Sequence, residues 1–85
     1  MASNWDRKLS EPVKMTRGRI LNTLSDVRDL ILRLGDSTVR ASWWTYATEL
    51  LLKAAESGKR SDINSATVQL CRALDREGML QRDRG

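Results

Sequence analysis

SWWTYATELLLKAAESG, residues 42–58, is the stretch of sequence that constrains the fold most strongly. Its apolar residues recur at helical spacing, and neighbouring positions on a helix point about 100° apart. The pattern predicts a helix over residues 37–57 that is apolar around most of its circumference and ends at Gly58. One stripe of this surface comprises Val39, Trp43, Ala47, Leu50 and Ala54, and a second comprises Trp44, Leu51 and Ala55, with Leu52 beyond it.

Trp43 and Trp44 are adjacent, so both indoles cannot enter the same core. We expect Trp43 to pack inward, while Trp44 lies against the third helix, the N-terminal segment or a partner. Core packing alone would explain both indoles in a domain with few large side chains, but Trp is also common at binding hot spots. Because a single small bundle cannot cover so apolar a helix, we predict a partner interface formed by Trp44, Leu51 and Leu52.

The sequence also predicts a helix on either side of this stretch. Upstream, Ser10-Glu11-Pro12 is a typical helix start, because proline fits the first helical position. Downstream, Ser61 or Asp62 can cap a helix that ends before Gly78. The apolar stripe of the upstream helix comprises Val13, Ile20, Leu24, Val27, Ile31 and Leu34, and that of the downstream helix comprises Ile63, Ala66, Leu70, Ala73 and Leu74.

These patterns together predict an all-α fold. No stretch alternates apolar and polar residues over the length that a strand requires. Asp36 or Ser37 would cap the central helix. The predicted fold is a three-helix bundle with helices over about residues 12–34, 37–57 and 61–77. The bundle would form a single domain over residues 12–80, between a flexible N-terminal segment over residues 1–11 and a flexible tail over residues 81–85.

The chain lacks the residues that catalysis most often requires. It contains no histidine, the commonest general base and metal ligand, and a single cysteine, Cys71. One cysteine excludes an intramolecular disulfide and any cysteine-based zinc site within one chain. Helix caps and exposed faces account for the carboxylates, and burial accounts for Cys71 better than a reactive thiol does. We therefore expect no enzymatic activity and no cofactor or metal.

Nothing in the sequence indicates a membrane protein. The longest apolar run spans only a few residues, whereas a helix needs about 20 to cross a bilayer. The N-terminus lacks the charged and apolar regions of a signal peptide. We expect a cytoplasmic protein, in a bacterial cell or a phage-infected host, with no membrane partner.

Basic residues outnumber acidic ones by 15 to 11, which gives a net charge of +4. Clustered basic side chains contact phosphates without reading sequence. A surface that only keeps the protein soluble would explain this modest excess equally well. The two clusters predicted to bind nucleic acid are Arg7, Lys8, Lys14, Arg17 and Arg19 near the N-terminus and Lys59 and Arg60 between the last two helices.

Residues 50–80 contain three short motifs: LLLKAAESG at 50–58, DIN at 62–64 and LDREGM at 74–79. This region resembles the helical hairpin of small terminase subunits, which are DNA-packaging subunits of double-stranded DNA phages, and more closely those of short-tailed phages. The third helix is about one turn longer than in that pattern, and Trp43-Trp44 is not part of it. The resemblance implies a ring of identical subunits that binds viral DNA and regulates a separate motor ATPase. A second likeness, carried by Thr23-Leu24-Ser25-Asp26-Val27-Arg28, is to small uncharacterised bacterial helical proteins and implies no activity.

Three hypotheses of function remain open. The first is a homo-oligomeric DNA-packaging adaptor whose central helix joins subunits and whose basic clusters contact double-stranded DNA. The alternative is a bacterial protein–protein adaptor, dimeric through the Trp-bearing central helix, with no role in nucleic-acid binding. The third is a DNA-binding regulator with a helix-turn-helix, although its second helix would place Trp43, Trp44 and Leu50 in the groove, which is a poor recognition face.

Overall fold

The computed structural model describes residues 4–35, 38 and 40–80. Over these residues the chain forms a two-stranded antiparallel hairpin and then a series of helices, which is an α+β fold. The strands are β1 (Lys8–Lys14) and β2 (Ile20–Thr23), joined through a 3-10 turn (Thr16–Gly18). The helices are α1 (Leu24–Arg33), α2 (Ser42–Ser57) and α3 (Arg60–Arg76).

The predicted all-α fold is wrong, because residues 12–23 form most of the hairpin and no part of an α-helix. Gly18 has a φ of +79°, in the left-handed region that a right-handed helix excludes. The apolar residues of this region suit a strand: Leu9, Val13 and Met15 are separated by even numbers and are buried together. The helix predicted over residues 12–34 therefore exists only in its second half, as α1.

The middle of the hairpin is irregular, and this irregularity brings β1 into contact with α3. The pairing register shifts between Lys8 and Val13. Pro12 lies in this part of β1, which suits a residue without an N–H group to donate to a neighbouring strand. Here the backbone N–H of Ser10 donates instead to Thr67 Oγ1 on α3, at 3.3 Å.

β1 runs alongside α3 in the same chain direction. Beyond the Ser10–Thr67 contact, the backbone N–H of Thr16 donates to the carbonyl of Met79 just after α3, at 2.9 Å. Met15 and Leu80 form an isolated antiparallel bridge at the same end. The start of β1 therefore lies beside the start of α3.

Residues 4–7 join the hairpin to two helices. Asn4 donates through its backbone N–H and its Nδ2 to the carbonyl of Ala55 on α2, at 2.9 and 3.0 Å. The carbonyls of Trp5 and Arg7 accept from two first-turn N–H groups of α1. The domain boundary expected at residue 12 thus falls inside β1. Residues 1–3 and 81–85 of the predicted flexible ends lie outside the described residues, as do Asp36, Ser37 and Val39.

α2 and α3 form a helical hairpin close to the predicted one. Three of its four helix ends lie within one residue of the prediction, and α2 begins at Ser42 instead of residue 37. Gly58 ends α2 in the left-handed conformation, with a φ of +66°, and its N–H donates to the carbonyl of Ala54 at 2.8 Å. This turn folds α3 back against α2.

Trp44, and not Trp43, is the indole at the centre of the core. Trp44 is fully buried, whereas Trp43 is half-buried at the edge of the core. Both indole N–H groups donate to one carboxylate oxygen, Glu77 Oε2, at 3.2 Å from Trp43 and 3.3 Å from Trp44. The other buried apolar side chains are Leu9, Val13, Met15, Leu21, Leu24, Val27, Leu30, Ala47, Leu51, Ala54, Ala55, Ile63, Ala66, Leu70, Ala73 and Leu74.

Replacing Gly58 with alanine should lower the free energy of unfolding by more than the same change at Gly78. Both glycines have a positive φ, which costs roughly 1–2 kcal/mol for a residue with a Cβ. A Cβ at Gly58 would also lie 2.8 Å from Asn4 Cγ, whereas a Cβ at Gly78 meets nothing within 4 Å. Urea unfolding of Gly58→Ala and Gly78→Ala measures the difference, and equal losses would contradict the close approach of Asn4.

Asp26 should stabilise the fold in a pH-dependent way. Backbone N–H groups of Asn22 and Thr23 donate to Asp26 Oδ2 at 2.9 and 3.1 Å, and Thr23 Oγ1 accepts from the Asp26 N–H, which forms a capping box. The hydrogen bond from Asn22 is the main cause that lowers the pKa of Asp26 below its ordinary value of 3.8.

Because the folded-state pKa is lowered, the charged carboxylate stabilises the fold above pH 3.8, and this contribution is lost as the pH falls below that value. We expect Asp26→Asn to cost roughly 0.3–1 kcal/mol at neutral pH, a modest value for a carboxylate open to solvent at a helix start. The cost should shrink in acid. A cost that stays constant across this pH range in urea unfolding would show that the charge has no role.

Candidate nucleic-acid interface

A basic groove lies between the start of β1 and the start of α3, with a volume of about 830 Å³. It brings together Arg7, Lys8 and Arg60, which belong to the two basic clusters that the sequence predicted to contact nucleic acid. All three side chains are exposed. The complete lining, which within the described part of the chain contains no acidic side chain, is Arg7, Lys8, Leu9, Ser10, Gly58, Arg60, Ser61, Ile63 and Asn64.

The positive end of the α3 dipole adds to the charge of the basic groove. Lys59 is the N-cap residue of α3, is exposed, and makes no side-chain hydrogen bond to the helix start. Asp62 in the first turn partly offsets this charge, and its carboxylate accepts a hydrogen bond from Ser57 Oγ. An anion in the basic groove would thus meet guanidinium and ammonium groups beside a helix N-terminus, which is a favourable setting for a phosphate.

The structure separates the predicted N-terminal cluster into two parts. Lys14 is exposed at the far end of β1, about 20 Å of extended chain from Lys8. Arg17 belongs to the turn next to it. Arg19 follows the turn, is half-buried, and helps to lower the pKa of Asp26 through its charge. Lys14 and Arg19 lie at the opposite end of the hairpin and do not line the basic groove, and the side chain of Arg17 lies outside the described part of the chain.

The predicted partner interface is divided between core and surface. Trp44 is 0% exposed and Leu51 is 3% exposed in a single copy of the chain, so neither offers a surface to a partner. Leu52 is 52% exposed. We expected α2 to have more apolar surface than one chain can bury. In the structure, α3 and the rest of the chain bury Trp44 and Leu51 of this helix.

A second surface, which sequence reasoning did not identify, lies where the start of α2 meets the end of α3. We call it the Tyr46 surface: it is a shallow depression of about 380 Å³ lined by Ser42, Trp43, Tyr46, Gln69, Arg72 and Arg76. Tyr46 is 52% exposed, and both arginines are exposed. The spacing of Arg72 and Arg76, four residues apart on a predicted helix, was the available signal. Their proximity to Tyr46 depends on how the two helices pack.

Cys71 lies in a depression of about 430 Å³, which is smaller than the basic groove and continues from it along β1 and α3. Glu11 and Arg72 also line this depression. Burial is the main cause that raises the pKa of its thiol, and the negative charge of Glu11 raises it further. The thiol is therefore protonated at neutral pH, which does not suit a nucleophile. Within the described residues, no cluster of three or more histidine, cysteine or acidic side chains could hold a metal ion.

In the part of the chain that the structure describes, no helix is both long enough and apolar enough to cross a bilayer. In comparisons with known proteins, no family model, curated protein or solved structure matches this sequence.

Proposed function

We propose that this protein is a non-enzymatic module that binds nucleic acid through its basic groove. The observation that carries the proposal is the convergence of Arg7, Lys8 and Arg60 in one groove with no acidic lining, although the two clusters are some fifty positions apart in the sequence. Such a groove attracts the phosphate backbone and does not read bases, so we expect binding to be independent of sequence.

We further propose that the nucleic acid is double-stranded DNA and that the role is genome packaging, as in small terminase subunits. The resemblance over residues 50–80 supports this narrower proposal, and that stretch covers the second half of α2 and all of α3. A cytoplasmic location in a bacterial or phage-infected cell belongs to the same proposal.

The alternative of a dimeric protein–protein adaptor depends on exposed residues of α2. Trp44 and Leu51 are enclosed in the core, so such a dimer would have to use Leu52 and its exposed neighbours. This alternative requires no nucleic-acid binding, and the two experiments below separate it from the packaging role.

Neutralising the basic groove should weaken binding to duplex DNA and make it less sensitive to salt. Each phosphate contact contributes about one unit to the slope of log affinity against log salt concentration. We expect Arg7→Gln and Arg60→Gln each to reduce this slope by about one, as measured by fluorescence anisotropy with a labelled duplex. Arg40→Gln is the charge-matched control, because Arg40 is exposed and does not line the groove. Equal effects of all three variants, or binding that is insensitive to salt, would refute the proposal.

A packaging role also requires self-association, which light scattering measures directly. We expect a multi-subunit assembly that Leu52→Glu disrupts, because a buried unpaired carboxylate at a subunit contact is strongly unfavourable. Leu32→Glu is the matched control, because Leu32 is 76% exposed and lies on α1. A wild-type monomer would exclude the ring, and a dimer that Leu52→Glu dissociates would favour the adaptor alternative.

A further inference from the structure

Several interactions of Trp43 form one side of the Tyr46 surface. The guanidinium of Arg76 lies over the Trp43 ring, 4.9 Å from its centroid, and Gln69 Nε2 donates to the Trp43 carbonyl at 3.3 Å. The Trp43 indole N–H donates to Glu77, so this carboxylate is engaged by both indoles. Tyr46 stands beside this fixed group with half of its surface open to solvent. The surface therefore presents an exposed aromatic ring in one depression with two arginines.

A row of exposed side chains connects the Tyr46 surface with the basic groove. Residues four positions apart lie near one another along a helix, and the row on α3 consists of Arg60, Asn64, Val68, Arg72 and Arg76, all exposed. It spans sixteen positions, or about 24 Å along the helix, and winds by about 160° around the helix axis. The row begins in the basic groove and ends at Tyr46, with arginines at both ends. Glu11 of β1 lies beside its middle, so the positive charge is concentrated at the two ends.

We propose that this row is a track for single-stranded nucleic acid, with an unpaired base stacked on Tyr46 and phosphates on Arg72 and Arg60. Proteins that bind single strands combine a positively charged path with aromatic rings on which bases stack. A duplex cannot use the Tyr46 ring in this way, because its base faces are already stacked on one another. The inference rests on the proposed nucleic-acid function and adds that an unpaired segment occupies the end of α3.

Anisotropy with labelled oligo(dT), oligo(rU) and a duplex of the same length tests this assignment. We expect Tyr46→Ala to weaken binding of the single strands by about fivefold or more, the effect of losing one stacked base. Tyr46→Phe keeps the ring and should retain the affinity, and the duplex should bind Tyr46→Ala as it binds the wild type. Both single strands should lose affinity, because stacking on Tyr46 uses the face of the base. Circular dichroism of each variant confirms folding.

Leu32→Ala is the control for truncation of an exposed side chain outside the Tyr46 surface. Unchanged single-strand affinity of Tyr46→Ala would overturn the inference, as would an equal loss on the duplex. A poly-glutamate peptide that binds the wild type as tightly as oligo(dT), with the same dependence on Tyr46, would assign the surface to acidic proteins instead.

If the duplex binds through the basic groove and oligo(dT) does not bind, the inference fails while the proposed function stands. If Arg7→Gln and Arg60→Gln leave duplex binding intact, the proposed function fails irrespective of the result at Tyr46.

Discussion

Strand β1 packs along α3, and this contact aligns the β-hairpin with the helical part of the fold. α3 buries side chains against α2 on one side and against the strand on the other, so its inward arc is wide enough to enclose Thr67 and Gln69 among its apolar residues. Two separated hydrogen bonds, from Ser10 to Thr67 and from Thr16 to Met79, hold strand and helix in register. That alignment determines which exposed residues of the hairpin meet which exposed residues of α3, and it places Arg7 and Lys8 beside Arg60.

The basic residues of this chain therefore differ in what their side chains contact. The guanidinium of Arg28 lies over the Trp5 ring, 4.8 Å from its centroid, and Arg76 lies over Trp43 in the same manner, so both help to fix aromatic groups at the edge of the core. The charge of Arg19 helps to lower the pKa of Asp26 at the start of α1. The basic residues of the groove are exposed to solvent around a cavity of about 830 Å³, so they can contact an anion from outside the protein. Total charge does not reveal this division, because it depends on where each guanidinium lies.

Some elements of the fold could be predicted from the sequence and others could not. The end of α2 and both ends of α3 were predicted to within one residue, because Gly58 and the 3.6-residue spacing of apolar side chains act locally. The hairpin was missed, because Val13, Ile20 and Leu24 happen to fit a helical stripe, while the strand pattern of Leu9, Val13 and Met15 is interrupted at Glu11. The prediction that Trp43 packs inward was wrong, because Trp44 is the buried indole. Both positions lie on an apolar helix, and the sequence does not show which of them faces the neighbouring elements. The basic residues of the groove were identified individually, but the Tyr46 surface was not.

The helical hairpin of α2 and α3 could be predicted from the amino-acid sequence, because it follows from the spacing of apolar residues and from a turn of a few residues. Three further features could not be predicted in this way: residues 8–14 and 20–23 pair as strands, Trp44 and Leu51 are enclosed, and Arg7 and Arg60 share a groove. These outcomes depend on contacts between residues more than fifty positions apart, such as Ser10 with Thr67 and Asn4 with Ala55. A short strand with weak local preference takes its conformation from the surface that buries it, and α3 supplies that surface.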